Sequence, residues 1–519
     1  MDQTFAKKKI ISPSIIVRLI FCGLVFFITL ILLYFAGLRL ISGLNSLYAD
    51  RCVEKGELSL AADHLDKAVR YVPHDFQTLK ELGRVWFDLG VSEKSAVKQL
   101  PFIIKARESF FKAVQLNSLD AESAYRLAQS EARLERLYSV LFPDMKCPYQ
   151  SLEWYRKAIM LRPNSISFRY DMVRVLAARK DPEMLIVVHK LSQIFPPVYY
   201  HLKKEPFWSD EVKEVVKKGL EQAIERETSL RETHKALSSL MTLNEQWEEA
   251  ASYYESSLRH KSSQNTPWDF IHLGVLHMKN QAMKEAEFYF IRGLYKSGSK
   301  EDALKQIFNI YKRAGALEAF SLFYDRVRRA FVTTSAMDIL LARSLFEQED
   351  YVSARDLFLE ANKKGPSAEA FYWLARIAEK ARDWDMMELD IQKATVLEPG
   401  NSNFHYYFSR SLRQQKKYEG AEKEAGLAIQ FSTKPNEWYY NYRAANRKSL
   451  KDNAGALDDW QEAIKLRPDY APFYSEAGEA CLMLADWSRA IDYYEKAISL
   501  DPEKKAYQER YDALKKSGL

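Results

Sequence analysis

The chain carries two kinds of apolar pattern. The first is a continuous run: Leu19 to Leu38, LIFCGLVFFITLILLYFAGL, holds no charge over twenty residues. At about 1.5 Å per residue, such a helix spans roughly the 30 Å hydrocarbon core of a bilayer. Arg18 and Arg39 bracket it, and both can snorkel toward headgroups. The apolar region of a cleavable signal peptide is shorter, about 7–15 residues, and ends at a small-x-small site. Tyr34-Phe35-Ala36 is a poor site of that kind. The pattern predicts an uncleaved transmembrane helix over 19–38 behind a short basic segment, 1–18.

Beyond the span the apolar positions become periodic. Small residues stand seven apart, as in Ala61/Ala68, Ala106/Ala113, Ala354/Ala361, Ala421/Ala428, Ala456/Ala463 and Ala490/Ala497. Leu65, Phe110, Phe358, Trp460 and Tyr494 stand between members of these pairs. Two antiparallel helices approach closely only where one side chain is small, and a large ring on the same stripe fills the gap beside it. Prolines follow in the same frame. Pro163 to Pro196 and Pro366 to Pro399 are 33 apart, and Pro468 to Pro502 is 34. Each proline stops the second helix of a pair and permits the turn into the next. The 90 residues from Pro73 to Pro163 make two such units plus 22. These fit two insertions, near Val91–Phe102 and Tyr138–Cys147.

The first helix of each unit is marked by Leu79-x-x-Leu82-Gly83-x-x-Trp86, Phe270-x-x-Leu273-Gly274 or Tyr474-x-x-Ala477-Gly478. Together these motifs resemble the tetratricopeptide repeat, a 34-residue helix hairpin reading W-x2-L-G-x2-Y, then A-x3-F-x2-A, then P. The resemblance implies an all-α fold: a right-handed α-solenoid of hairpins preceded by a single transmembrane helix. Thirteen units are expected, those over 42–230 carrying both insertions and a degenerate unit at 199–230, and those over 231–504 being more regular. The unit at 301–334 is loose, with Phe320 where alanine is expected. A capping helix and tail, 505–519, suit the open end of the stack.

Composition narrows the function. Lysine and arginine number 76 and aspartate and glutamate 70, mixed along the chain. No basic block of the kind that grips nucleic acid is present, so no nucleic-acid partner is expected. Four scattered cysteines form neither a disulfide framework nor a metal pattern. No phosphate loop, dinucleotide fingerprint or H-E-x-x-H motif occurs, and His272/His277, five apart, share a helix face poorly. No catalytic residue, cofactor site or metal site is expected, and the chain reads as a non-enzyme.

In the repeat family, positions 2, 5, 9 and 12 of a unit commonly face the concave groove. Carried onto this chain, the resemblance places Arg343, Arg376 and Arg410 at position 9 of three successive units. Lys305 and Asn309 precede them. Tyr372 and Tyr406 take position 5, Arg413 position 12, and Trp438 and Asn441 lie in the next unit. This basic ladder interleaved with aromatics is expected to grip an extended acidic peptide, a C-terminal carboxylate or an anionic glycan, since the arginine fork binds carboxylates bidentately. The competing expectation is local pairing, Arg343 with Glu347 and Arg376 with Glu379. Replacing Arg376 and Arg410 with alanine is expected to weaken capture without unfolding the array. Lys305-x3-Asn309 also matches the start of the family's clamp for chaperone tails. Leu340, Ala370 and Leu374 stand where that clamp needs polar groups, which argues against chaperone docking.

The resulting expectation is a membrane scaffold, bound to the bilayer through 19–38 and to other proteins through its groove. It suits an envelope assembly or export machine. The alternatives are a cytoplasm-facing receptor and a regulatory subunit of a membrane enzyme. Lys7, Lys8, Lys9 and Arg18 precede the span, against Arg39, Arg51 and Lys55 after it. This count favours a cytoplasmic N-terminus and a periplasmic or other extracytoplasmic repeat domain. The absence of any N-x-[ST] sequon leans toward a periplasm.

Overall fold

The computed structural model describes residues 13–260 and 262–516. Lys7, Lys8 and Lys9 of the basic segment, and the tail after Lys516, lie outside them. Among the described residues every regular element is helical. They form two compact units, Met1–Ser263 and Gln264–Leu519.

The first unit opens with a 42-residue helix, Pro13–Glu54, about 63 Å long at 1.5 Å per residue. From Phe21 onward its apolar stretch is exposed on every side, and by length and composition it suffices to cross a membrane. Its C-terminal end is the first half of a hairpin. Ala49 and Cys52 pack with Ala61, Ala62 and Leu65 of the helix Leu58–Tyr71. The Ser42 hydroxyl donates to the Ala68 carbonyl at 3.1 Å, inside the same contact. No linker separates the apolar span from the first repeat.

The first insertion is built mainly as helix, whereas the second adds the last turn of one helix and then runs on as a non-helical connection over 142–150. Ala96–Leu116 and Ala121–Leu141 each run 21 residues, against 13 or 14 in a regular hairpin such as Ala471–Met483 and Trp487–Leu500. Ile103, Leu134 and Leu137 form a small core that covers the added turns. The degenerate stretch after Pro196 makes a short turn and then the helix Asp210–Glu225, capped by Ser209. The hairpin Leu230–Leu243/Trp247–Arg259 completes the first unit, so the boundary between the two units falls a hairpin beyond residue 230.

Seven hairpins over 267–500 make the second unit, and the helix Lys505–Lys516 covers its end. Tyr507 packs against Ala471, Tyr474 and Ala497, while Leu514 joins the core beside Tyr494. All twelve paired alanines are fully buried, as the close approach of helices requires. At the loose unit Phe320 is also fully buried, inside a cluster with Phe308, Tyr311, Phe323 and Tyr324. There the gap between helices is filled from both sides by rings.

In seven hairpins the two helices are joined by a tight turn whose middle residue adopts a positive φ. Glu245, Gln281, Glu349, Arg382, Lys416, Lys451 and Ala485 all do so. Glycine is the usual occupant of that conformation because it lacks a Cβ. The scarcity of glycine here reflects turns held by the packing on either side.

Candidate functional site

The helices Ser335–Glu347, Ala368–Ala381, Ser402–Gln414 and Glu437–Ser449 are the first helices of four successive hairpins in the second unit. A side chain at the same position of each therefore stacks on the next. Arg343, Arg376 and Arg410 lie along this row, all half-buried.

Each arginine lies against aromatic rings of its own and neighbouring helices. The Arg343 guanidinium is 5.2 Å from the Phe308 ring and 5.3 Å from Trp373. Arg376 lies 4.9 Å from Tyr407 and 5.8 Å from Phe346. Arg410 lies 5.1 Å from Tyr407 and 5.7 Å from Tyr442. Such contacts are attractive because a cation meets the negative ring face. Tyr372 and Tyr406 complete the row, the former accepting from Arg376 Nη1 at 2.9 Å.

The arginines also have carboxylate partners. Arg376 Nε is 3.2 Å from Glu379 Oε2, and Arg410 Nη2 reaches Oε1 of the same carboxylate. Glu379 thus bridges two units. Arg343 pairs with Glu369 of the next helix at 3.1 Å. Its expected partner, Glu347, instead takes Lys312 at 2.5 Å. The i,i+4 spacing suggested Arg343–Glu347, but the stacked neighbour wins because Glu369 stands across the row.

Burial alone lowers an arginine pKa. For Arg376 and Arg410 that effect is outweighed by Tyr372 and Tyr442 respectively, and then by Glu379 and other neighbours, so both shift upward. The Tyr407 hydroxyl is pushed up to about 12, first by burial and then by Tyr372. The row is a fixed set of guanidiniums and neutral phenols at ordinary pH. Packing between rings gives these half-buried arginines a structural role, so alanine at Arg376 or Arg410 removes core contacts too.

The remaining expected residues divide. Arg413 Nη1 donates to Asn446 Oδ1 at 2.9 Å and keeps no carboxylate bond among the described residues. Asn441 accepts from the Trp460 indole at 3.1 Å, a packing role. Trp438 sits edge-on to Tyr470 and Phe473. Lys305 is exposed and Asn309 half-buried. Leu340, Ala370 and Leu374 are core residues, so the apolar positions interrupting the chaperone-tail clamp are structural. Sequence reasoning passed over Trp373, Tyr407 and Tyr442, whose signal is their place one or two residues from a groove position.

The comparisons agree with this architecture. Residues 339–385 and 471–504 match the tetratricopeptide repeat. The chain is 36% identical over 99 residues to the heat shock protein STI1 of Saccharomyces cerevisiae, covering 19% of this chain and 17% of that protein. It is 39% identical over 67 residues to the Hsp70-Hsp90 organizing protein of Triticum aestivum, 13% of this chain and 12% of that one. The chain thus spans less than a fifth of either relative. It also matches the E3 ubiquitin-protein ligase CHIP of Arabidopsis thaliana, 27% identical over 173 residues, 33% of this chain and 60% of that protein. Among solved structures it is similar to the APC/C Cut9-Hcn1 hetero-tetramer, with 10% identity and a TM-score of 0.36 over 91% of this chain and 96% of that one.

Proposed function

We propose that this chain, an array of tetratricopeptide repeats, is a non-catalytic scaffold that holds an extended acidic segment of a partner protein. The observation that supports the reading is the row Arg343–Arg376–Arg410. Three guanidiniums are fixed between rings and face two carboxylates, Glu369 and Glu379, so the row keeps one net positive charge. Fixed groups lose little freedom on binding, and the arginine fork suits carboxylates. Arg413 and Lys305 extend the positive surface at either end. A relative named as an Hsp70-Hsp90 organizing protein fits a protein-binding role.

The helix Pro13–Glu54 is read as the membrane anchor. Apolar residues remain exposed from Phe21 to Tyr48, about 42 Å of helix at 1.5 Å per residue. That length covers the hydrocarbon core and reaches the headgroup zones. Confinement to a surface raises the effective concentration of bound partners there. An array on the exported side fits an envelope assembly; one on the cytoplasmic side fits a receptor.

The groove reading is tested by fluorescence anisotropy of labelled oligoglutamate on the detergent-solubilised chain. Arg410→Gln, which keeps length and polarity, should weaken binding severalfold. Unchanged binding overturns the reading. Protease accessibility of a C-terminal tag in intact cells or vesicles decides the side of the membrane.

A further inference from the structure

The first unit carries a second cationic site, and its arginines are differently partnered. Phe76–Ser92, Ala121–Leu141 and Ile166–Ala178 are first helices of successive hairpins, and together they line a cavity of about 170 Å³. Arg133, Arg136 and Arg174 face it against a single carboxylate, Asp171. Asp171 is already engaged, accepting from the Tyr125 hydroxyl at 2.7 Å and Gln129 Nε2 at 2.8 Å.

The partners of the arginines are weak or neutral. Arg174 is 3.7 Å from Glu205. Arg133 donates from Nε and Nη2 to the neutral Gln99 Oε1, at 3.2 and 2.7 Å. Gln99 is buried and held in turn by the Glu93 carbonyl at 2.6 Å, so this guanidinium is positioned from behind. Arg136 is exposed, and among the described residues neither it nor Arg133 has a carboxylate within ion-pair distance. Burial, and then the like charge of Arg136, hold Arg133 below its ordinary pKa. In the second unit every groove arginine of the row has a glutamate; here two arginines share a cavity without one. An anion relieves that repulsion.

The rest of the lining says what accompanies the anion. Phe87 and Val91 form an apolar wall beside the arginines. The cavity falls below the roughly 300–1,000 Å³ of ordinary small-molecule sites, and its lining comes largely from the first helices of three successive hairpins, a stacked surface of the kind that suits an extended chain. Arg136 lies in the added turns of Ala121–Leu141, so the site exists because that helix is long.

We infer that this cavity binds one carboxylate of an extended peptide, with Arg133 and Arg136 as its forks and Phe87 and Val91 against the neighbouring apolar side chain. The inference rests on the scaffold reading but on a different unit. The carboxylate is that of an acidic side chain or of a chain end.

The experiment uses the full chain in detergent carrying Arg376→Gln/Arg410→Gln, which disables the second unit's groove. The probes are fluorescein-labelled hexapeptides alternating leucine and glutamate, with a free or an amidated C-terminus. The free-acid probe should bind this background, and adding Arg136→Gln should weaken it at least tenfold. Among the described residues the exposed Arg136 side chain makes no hydrogen bond or ion pair, so the fold is retained. Equal binding of both probes assigns a side-chain carboxylate; binding of the free acid alone assigns the chain end. Absence of binding in the background, or equal binding after Arg136→Gln, overturns the site and leaves the second-unit reading standing. Arg136-dependent binding of phosphatidylglycerol vesicles, with neither peptide bound, overturns the peptide assignment.

Discussion

A methyl group added to Gly274 would lie 2.5 Å from Cε1 of Phe290, closer than carbon atoms approach. Gly83 stands in the same relation to Phe110, at 2.7 Å. The glycine of the first helix is the floor on which the ring of the second helix rests. Gly274→Ala gains up to about 1 kcal/mol of helix propensity but overpacks a fully buried ring, at a cost of about 1–3 kcal/mol. The Ala286 carbonyl at 3.0 Å leaves little room to relax. Thermal unfolding should show a lower midpoint for Gly274→Ala than for the parent, and an unchanged or higher midpoint would contradict this packing.

Glu379 offsets part of the charge of the arginine row by bridging Arg376 and Arg410. Glu379→Gln leaves the arginines in their ring contacts but removes the competing carboxylate. Oligoglutamate should therefore bind the variant severalfold more tightly, with a steeper dependence on salt. Weaker binding would mean that Glu379 positions the arginines rather than competing with the ligand.

Asp459 is almost wholly buried and meets two arginines. Arg443 donates to it from Nε and Nη2 at 2.9 and 2.6 Å, and Arg447 Nη1 at 3.0 Å. Removing one member of a buried ionic cluster leaves charge without a partner, a loss of about 3–5 kcal/mol. Asp459→Ala should lower the denaturation midpoint strongly, whereas Arg447→Gln, which leaves Arg443 in place, should lower it less. Equal losses would show that the cluster acts as one indivisible unit.

His405 has two acceptors. Nδ1 is 2.6 Å from Glu424 Oε2, and Nε2 is 2.8 Å from the Pro399 carbonyl, so both ring nitrogens must carry protons to satisfy them. Burial lowers its pKa, but the Glu424 and Pro399 hydrogen bonds outweigh burial and raise it above the usual 6.5. The folded chain then holds this proton more tightly than the unfolded one. Its stabilisation is fully present below pH 6.5 and is lost as pH rises through the folded pKa. Parent and His405→Gln should differ more in unfolding midpoint at pH 6 than at pH 9. A difference that grows with pH would reverse the assigned protonation.

The alanine pairs, the glycine before each ring and the spaced prolines determined the hairpin and its repetition. Those features act within one hairpin or between neighbours in sequence, and a periodic pattern states them directly. The apolar span was equally plain, because a bilayer demands about twenty uncharged residues whatever follows. The arginine row could be named from the sequence, since Arg343, Arg376 and Arg410 recur on the first helices of successive hairpins.

Only the tertiary structure decided what those positions touch. Arg343 takes Glu369 rather than Glu347, and Glu379 serves two arginines, because stacked hairpins bring residues about thirty apart within bonding distance. The insertions read as added length, and folding used part of it to extend Ala121–Leu141 to 21 residues and left 142–150 as a connection. The long helix carries Arg136 beside Arg133 and Arg174 over one small cavity. The run of Pro13–Glu54 through the span into the first hairpin was likewise hidden. Helical periodicity fixes which side of a segment is apolar, but contact between helices fixes which charge finds which partner.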